Sequence, residues 1–201
     1  LQTIDGVDAE RIAYYGSSYG GAHAIWCGAF DERVKAIVSA VMVSDGERWM
    51  KSVRRPDEWQ QFKKKIEKAE RKRVVTGERK MIPLIEIMKT DPHTQMVVEQ
   101  FHAQSEHFNP EYDLESAAAN MRYKPELVAH LISPRPVLII YAEYDNLVPV
   151  EEQIKCFAAL GEPKKLVKLP KAQHYESYKF CNPEIHEIQK VETLEWYRKY
   201  L

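Results

Sequence analysis

The pentapeptide Gly16-Ser17-Ser18-Tyr19-Gly20 constrains this chain more than any other feature. It has the form G-x-S-x-G. Before it stands Arg11-Ile12-Ala13-Tyr14-Tyr15, a short apolar and aromatic run that reads as a buried strand. After it, Gly21 to Phe30 reads as a helix. A strand that turns straight into a helix leaves little room beside the turn, so small residues are expected at Gly16 and Gly20. Such a turn sets the Ser18 hydroxyl at the C-terminal edge of a sheet and at a helix N-terminus. There the Tyr19 N–H can face a developing oxyanion, while the Tyr19 ring either joins the site or only packs. Ser17 cannot be the centre, because Tyr15 and Tyr19 would then occupy the glycine positions. The plainer reading is a strand–helix turn without chemistry.

A serine nucleophile needs a base, and the base needs a group to orient it. Pro136-Val137-Leu138-Ile139-Ile140-Tyr141 reads as a second buried strand, and Asp145 follows it in the loop Ala142 to Pro149. Lys165 to Leu169 alternates as a third, and His174 follows it in Pro170-Lys171-Ala172-Gln173-His174-Tyr175. Serine, acid and histidine thus each fall just after a strand, on one edge of one sheet. Glu143 is a rival acid two residues before Asp145. His23 reads as a helix-packing residue, and His130 and His186 as structural.

These motifs, with Gly21 after the elbow and Asp145-Asn146-Leu147-Val148-Pro149, resemble the α/β-hydrolase superfamily. The Ser-Tyr-Gly-Gly elbow is similar to the prolyl-oligopeptidase-like, X-Pro-peptidase-like and cocaine-esterase-like branch. Ser133-Pro134-Arg135-Pro136 before the acid-bearing strand fits that branch and the dienelactone-hydrolase-like proteins. The resemblance covers residues 7–43 and 131–201. It implies an α/β core formed by the second half of a mostly parallel sheet, with strands at 11–15, 34–43, 136–141 and 165–169. It also implies a serine hydrolase in which Ser18, His174 and Asp145 form the triad and Tyr19 gives one oxyanion donor. The expected substrate is an ester or short peptide, with no cofactor and no metal. Acyl transfer, carbon–carbon bond hydrolysis and a non-catalytic binding role on the same fold are the alternatives.

The family carries strands before the elbow, whereas here the elbow strand begins about ten residues from Leu1. The resemblance therefore predicts a missing N-terminal segment, or a second chain or homodimer partner, beside strand 11–15, bringing the second oxyanion donor.

Residues 44–133 contain no convincing strand signal. Trp59, Phe62, Ile66 and Ala69 recur at helical spacing after Pro56-Asp57. Val97 and Phe101 suggest a helix after Asp91-Pro92, and 113–121 and 125–131 suggest two more. The expected organisation is a core of 1–43 and 134–201 with a helical cap, 44–133, that excludes water and shapes the pocket. A structural subdomain is the plainer alternative. The closing helix shows a stripe of Ile185, Ile188, Val191, Leu194 and Leu201.

Several classes find no support in composition. Net charge is −1 and the pI about 6.7, so nucleic acid is not implied. The basic run Lys63 to Arg73 is interleaved with Glu67 and Glu70, as on a solvated helix face. Mean hydropathy is −0.50 and no apolar run reaches membrane-spanning length, so no membrane partner is expected. His102 and His107 near Glu99 and Glu106 lack the spacing of a metal site. Cys27, Cys156 and Cys181 read as free thiols of a reducing, cytoplasmic setting, with Cys27 in the core.

Overall fold

The computed structural model describes residues 2–104 and 111–201, with the side chains of 101–104 left aside. His107 and Glu106 lie outside the described residues, as does the His102 side chain. The chain divides into two compact units, Leu1–Ser44 with Lys124–Leu201, and Asp45–Tyr123.

The first unit is built on strands β1 (Ala13–Ser17) and β2 (Ala36–Ala40), joined by helix α1 (Tyr19–Phe30). In the second unit follow α2 (Gly46–Ser52), α3 (Pro56–Thr76), β3 (Met81–Pro83), α4 (Leu84–Ile87), α5 (Pro92–Gln104), β4 (Glu111–Asp113) and α6 (Glu115–Arg122). The chain then returns through two 3-10 turns, Pro125–Leu127 and Ala129–Ile132, to β5 (Val137–Ala142), α7 (Glu151–Ala159), β6 (Lys164–Leu169) and α8 (Pro183–Tyr200).

The main sheet is four-stranded, ordered β1-β2-β5-β6, and parallel throughout. Its central strands are apolar on both faces, as a sheet covered by helices on both sides requires. Ile37, Val137 and Ile139 face one way, toward Ala24, Ile25 and Ala29 of α1 and Cys156 of α7. Val38, Ala40, Leu138 and Ile140 face the other, toward Trp196 of α8. β2 is shorter than the predicted 34–43, because Val41 at φ 43° turns the chain out of the strand while its N–H still bonds Ile140 O at 2.8 Å.

Residues 124–133 belong with the sheet, correcting the predicted boundary at 133. Ala129 and Ile132 are buried in the core of the first unit, and the Glu126 N–H bonds Ser44 O at 3.2 Å. Two further corrections concern surfaces. Cys27 and His23 are exposed rather than against the sheet, the His23 ring lying 6.4 Å from that of Tyr19, because α1 turns Gly21, Ala24, Ile25 and Gly28 to the sheet instead. On α8, Ile188, Val191 and Leu194 face out, while Gln189, Thr193 and Trp196 are buried.

Within the second unit, α3 buries Trp59, Phe62, Ile66 and Ala69 as its spacing predicts, and Glu67 pairs with Arg71 at 2.6 Å. Arg54 is buried against the Phe62 ring, 3.9 Å from its centroid, and donates to Met50 O, Glu86 O and Ile87 O at 2.6–2.7 Å. The expectation of a strandless segment is corrected by the antiparallel pair β3–β4. Each of its strands has three residues, too few for an alternating pattern to register. Among the described residues, no helix is long and apolar enough to cross a membrane.

Candidate active site

Ser18 stands between β1 and α1 with φ 56° and ψ −125°, a conformation an L-residue adopts only under the constraint of its surroundings. Its N–H donates to Ala40 O at 2.9 Å, so the turn is anchored to the end of β2. A Cβ on Gly16 would lie 1.9 Å from Gly20 O, which only glycine avoids. Gly20 corrects the expectation: a Cβ there would meet nothing within 4 Å. The second crowded position is Gly21, where a Cβ would come within 2.8 Å of Ser39 Oγ and 3.0 Å of Ala40 O. The glycine pair that the packing requires is therefore Gly16 and Gly21, and Gly21 is what lets α1 approach β2.

His174 and Asp145 are both buried. His174 opens a 3-10 turn, His174–Ser177, after β6. The Gln173 N–H donates to Glu176 Oε2 at 2.7 Å and the Ser177 hydroxyl to His174 O at 2.8 Å, which fixes the histidine backbone. The Tyr144 N–H donates to Ala172 O at 2.8 Å and the Glu143 N–H to Leu169 O at 3.0 Å, tying the acid loop to the histidine loop.

The structure brings the three predicted side chains of Ser18, His174 and Asp145 together. His174 Nε2 lies 3.1 Å from Ser18 Oγ, and His174 Nδ1 lies 2.7 Å from Asp145 Oδ2. Asp145 Oδ1 accepts from the N–H groups of Leu147 at 3.0 Å and Val148 at 2.7 Å. One carboxylate oxygen is thus held by the backbone, and the other is aimed at the imidazole. Glu143 is exposed to ion pairing instead. It meets Lys168 Nζ at 2.9 Å and the Lys171 N–H at 2.8 Å, and these hold its carboxyl below the usual range. Tyr19 is the first residue of α1, where N–H groups have no intrahelical acceptor in reach.

Sequence reasoning did not mark Tyr178. Burial, above all, pushes its phenol above the ordinary tyrosine value, and its ring stacks on Phe180 at 5.7 Å. Of the other histidines named from the sequence, His130 is exposed and His186 Nδ1 lies 3.0 Å from Ser177 O. Among the described residues, no group of three or more His, Cys, Asp or Glu could hold a metal ion.

The acetyl xylan esterase (AXE1) family matches residues 1–79. An uncharacterized 31.7 kDa protein of the traX-finO intergenic region of Escherichia coli is 26% identical over 196 residues, covering 97% of this chain and 67% of that protein. Thiohydrolase aneE of Aspergillus aculeatus is 25% identical over 187 residues, covering 87% and 58%. Polyketide transferase grgF of Penicillium sp. is 27% identical over 168 residues, covering 80% and 54%. The crystal structure of the alpha/beta hydrolase GrgF from Penicillium sp. sh18 superposes with a TM-score of 0.77 at 21% identity, over 99% of this chain and 67% of that one. The chain thus spans between half and two thirds of the length of these relatives. Sheet order, elbow and structural likeness together show that the chain has an α/β-hydrolase fold.

Proposed function

We propose that this chain carries the catalytic centre of a serine hydrolase acting on an ester, with Ser18 as nucleophile. The observation that carries the reading is the aligned set Ser18–His174–Asp145, with separations of 3.1 and 2.7 Å. His174 takes the proton of Ser18 as Oγ attacks the carbonyl carbon, and a tetrahedral intermediate forms. The same proton then passes from Nε2 to the leaving oxygen, giving the acyl-enzyme and an alcohol. Water repeats the cycle and releases the acid. Asp145, fixed by Leu147 and Val148, holds the imidazole with its Nδ1–H toward the carboxylate. The Tyr19 N–H, at the start of α1, is assigned as one oxyanion donor.

The match to the acetyl xylan esterase family and the likeness to a thiohydrolase and a polyketide transferase support this reading, with hydrolysis and group transfer as its two forms. Residues 45–123 leave the sheet after β2, whose end anchors the Ser18 turn, and we assign them the role of selecting the acyl group. We further propose that the free side of β1 pairs with a strand from residues outside this sequence or from a second chain.

A fluorophosphonate probe tests the nucleophile. Labelling of the wild-type chain at Ser18, absent in Ser18→Ala and His174→Ala, is the expected result. Asp145→Asn should retain the fold and lower the labelling rate by about 10³-fold or more. Unchanged labelling of Ser18→Ala would remove Ser18 from the mechanism. Product analysis with water against alcohol or thiol acceptors separates hydrolysis from transfer.

A further inference from the structure

Within the second unit, α3 and the loop after it line a cleft of about 390 Å³. Lys65, Lys68 and Lys72 reach it from the helix, Arg79 and Lys80 from the loop. Among the described residues Glu78 is the one carboxylate in its lining, and Ala69 the one apolar residue. Whole-chain charge conceals this local excess: residues 63–80 hold nine lysines and arginines against three glutamates, in a chain of net charge −1.

Three of the cations are already matched. Lys65 pairs with Glu86, Lys72 meets Glu78 at 2.5 Å, and Arg79 lies 3.6 Å from Asp113. Lys68 and Lys80 have no such partner among the described residues. Two unmatched ammonium groups therefore share a concave wall with three more cations, where field lines concentrate and attract anions. Lys65 and Lys72 stand seven residues apart on one helix, about 10 Å along its axis at 1.5 Å per residue. That run outreaches a single phosphate and suits two or three in series. Lysine suits the role, binding phosphate as a point charge without the planar geometry that carboxylates elicit from arginine.

We propose that this cleft is a binding site for a ligand bearing two or more linked phosphate groups. Among the described residues its lining offers no aromatic ring on which a base could stack. Recognition therefore stops at the phosphates, whether these come as inorganic pyrophosphate or as the diphosphate of a nucleotide.

Isothermal titration of the 201-residue chain with pyrophosphate at low ionic strength tests the site. Saturable one-to-one binding is expected. The double variant Lys68→Gln/Lys80→Gln leaves the three existing ion pairs intact and should weaken binding by about tenfold or more. Lys64→Gln removes one charge from an exposed position of α3 outside the cleft, and should change affinity by less than about twofold. Absence of saturable binding would overturn the proposal. So would equal weakening by Lys64→Gln and each single cleft variant, since net charge alone would then account for it. Adenosine diphosphate should bind within about threefold of pyrophosphate, and a preference beyond about tenfold would place recognition on a base and overturn the assignment.

Discussion

Asp145 and Glu143 show how much a single residue's chemistry depends on the backbone around it. Both carboxylates follow β5, two positions apart. The shorter side chain folds back on the N–H groups two and three residues ahead, as aspartate does in Asx turns. The resemblance carried by Asp145-Asn146-Leu147-Val148-Pro149 favours Asp145 over Glu143, and it is the Asp145 carboxylate that lies 2.7 Å from His174 Nδ1. The elbow was only partly legible in the sequence. G-x-S-x-G identifies Ser18 correctly as the turn residue, yet it credits Gly20 with a steric need that belongs to Gly21. The pattern records spacing, whereas the clash depends on how closely α1 lies on β2. Two substitutions separate these cases. Gly16→Ala should cost about 3 kcal/mol or more, because its Cβ would displace backbone. Gly20→Ala should leave stability unchanged or raise it by up to about 1 kcal/mol, since alanine is the better helix former. Urea unfolding of both variants measures the difference, and equal losses would contradict this account of the turn.

At the scale of elements, periodicity was reliable where one face is plainly apolar and failed where both are. Helix α3 has charged residues opposite Trp59, Phe62, Ile66 and Ala69, and those four are the buried set. Helix α8 offers two apolar rows, and the visible one, Ile188, Val191 and Leu194, is the row left exposed. The sheet side is chosen by larger groups at other positions: Trp196 packs over β5 and β6, and Gln189 donates to the Tyr15 hydroxyl at 2.6 Å. A hydrophobicity pattern does not rank a tryptophan and a hydrogen-bonded glutamine above three aliphatics. Arg54 was equally invisible, because a lone arginine carries no periodic signal. It joins α2, α3 and α4 through three carbonyls and a ring. Burial pushes its guanidinium down to about 10, still far above neutral pH, so it remains charged. Arg54→Lys supplies charge without the planar fork and should destabilise the fold by about 2 kcal/mol. The loss should be present across neutral pH in denaturant titrations. A variant as stable as wild type would show that the carbonyls are satisfied by other means.

For the whole molecule, the open flank of β1 is the feature with the largest consequence. Among the described residues β1 pairs with β2 alone. The Ser18 N–H points to Ala40 O, so by strand alternation the backbone groups of Tyr14 and Gly16 also face β2. Those of Ala13, Tyr15 and Ser17 then face outward. Tyr15 on this edge is 49% exposed. An unpaired edge of this kind is a template for another strand. Residue-resolved hydrogen exchange of the 201-residue chain reads the edge directly. In a monomer, the amides of Ala13, Tyr15 and Ser17 should exchange about 100-fold faster than those of Tyr14 and Gly16. Protection of the outward three should appear together with dimer mass at higher concentration, or on lengthening the chain with the segment that completes the sheet. If all five amides are protected in a demonstrated monomer, the edge is covered from within this chain and the pairing proposal fails. Fluorophosphonate labelling followed over the same series then links architecture to chemistry. If the added strand also brings the second oxyanion donor, the labelling rate of Ser18 should rise in step with protection of the edge. A labelling rate indifferent to protection would place that donor within this chain instead.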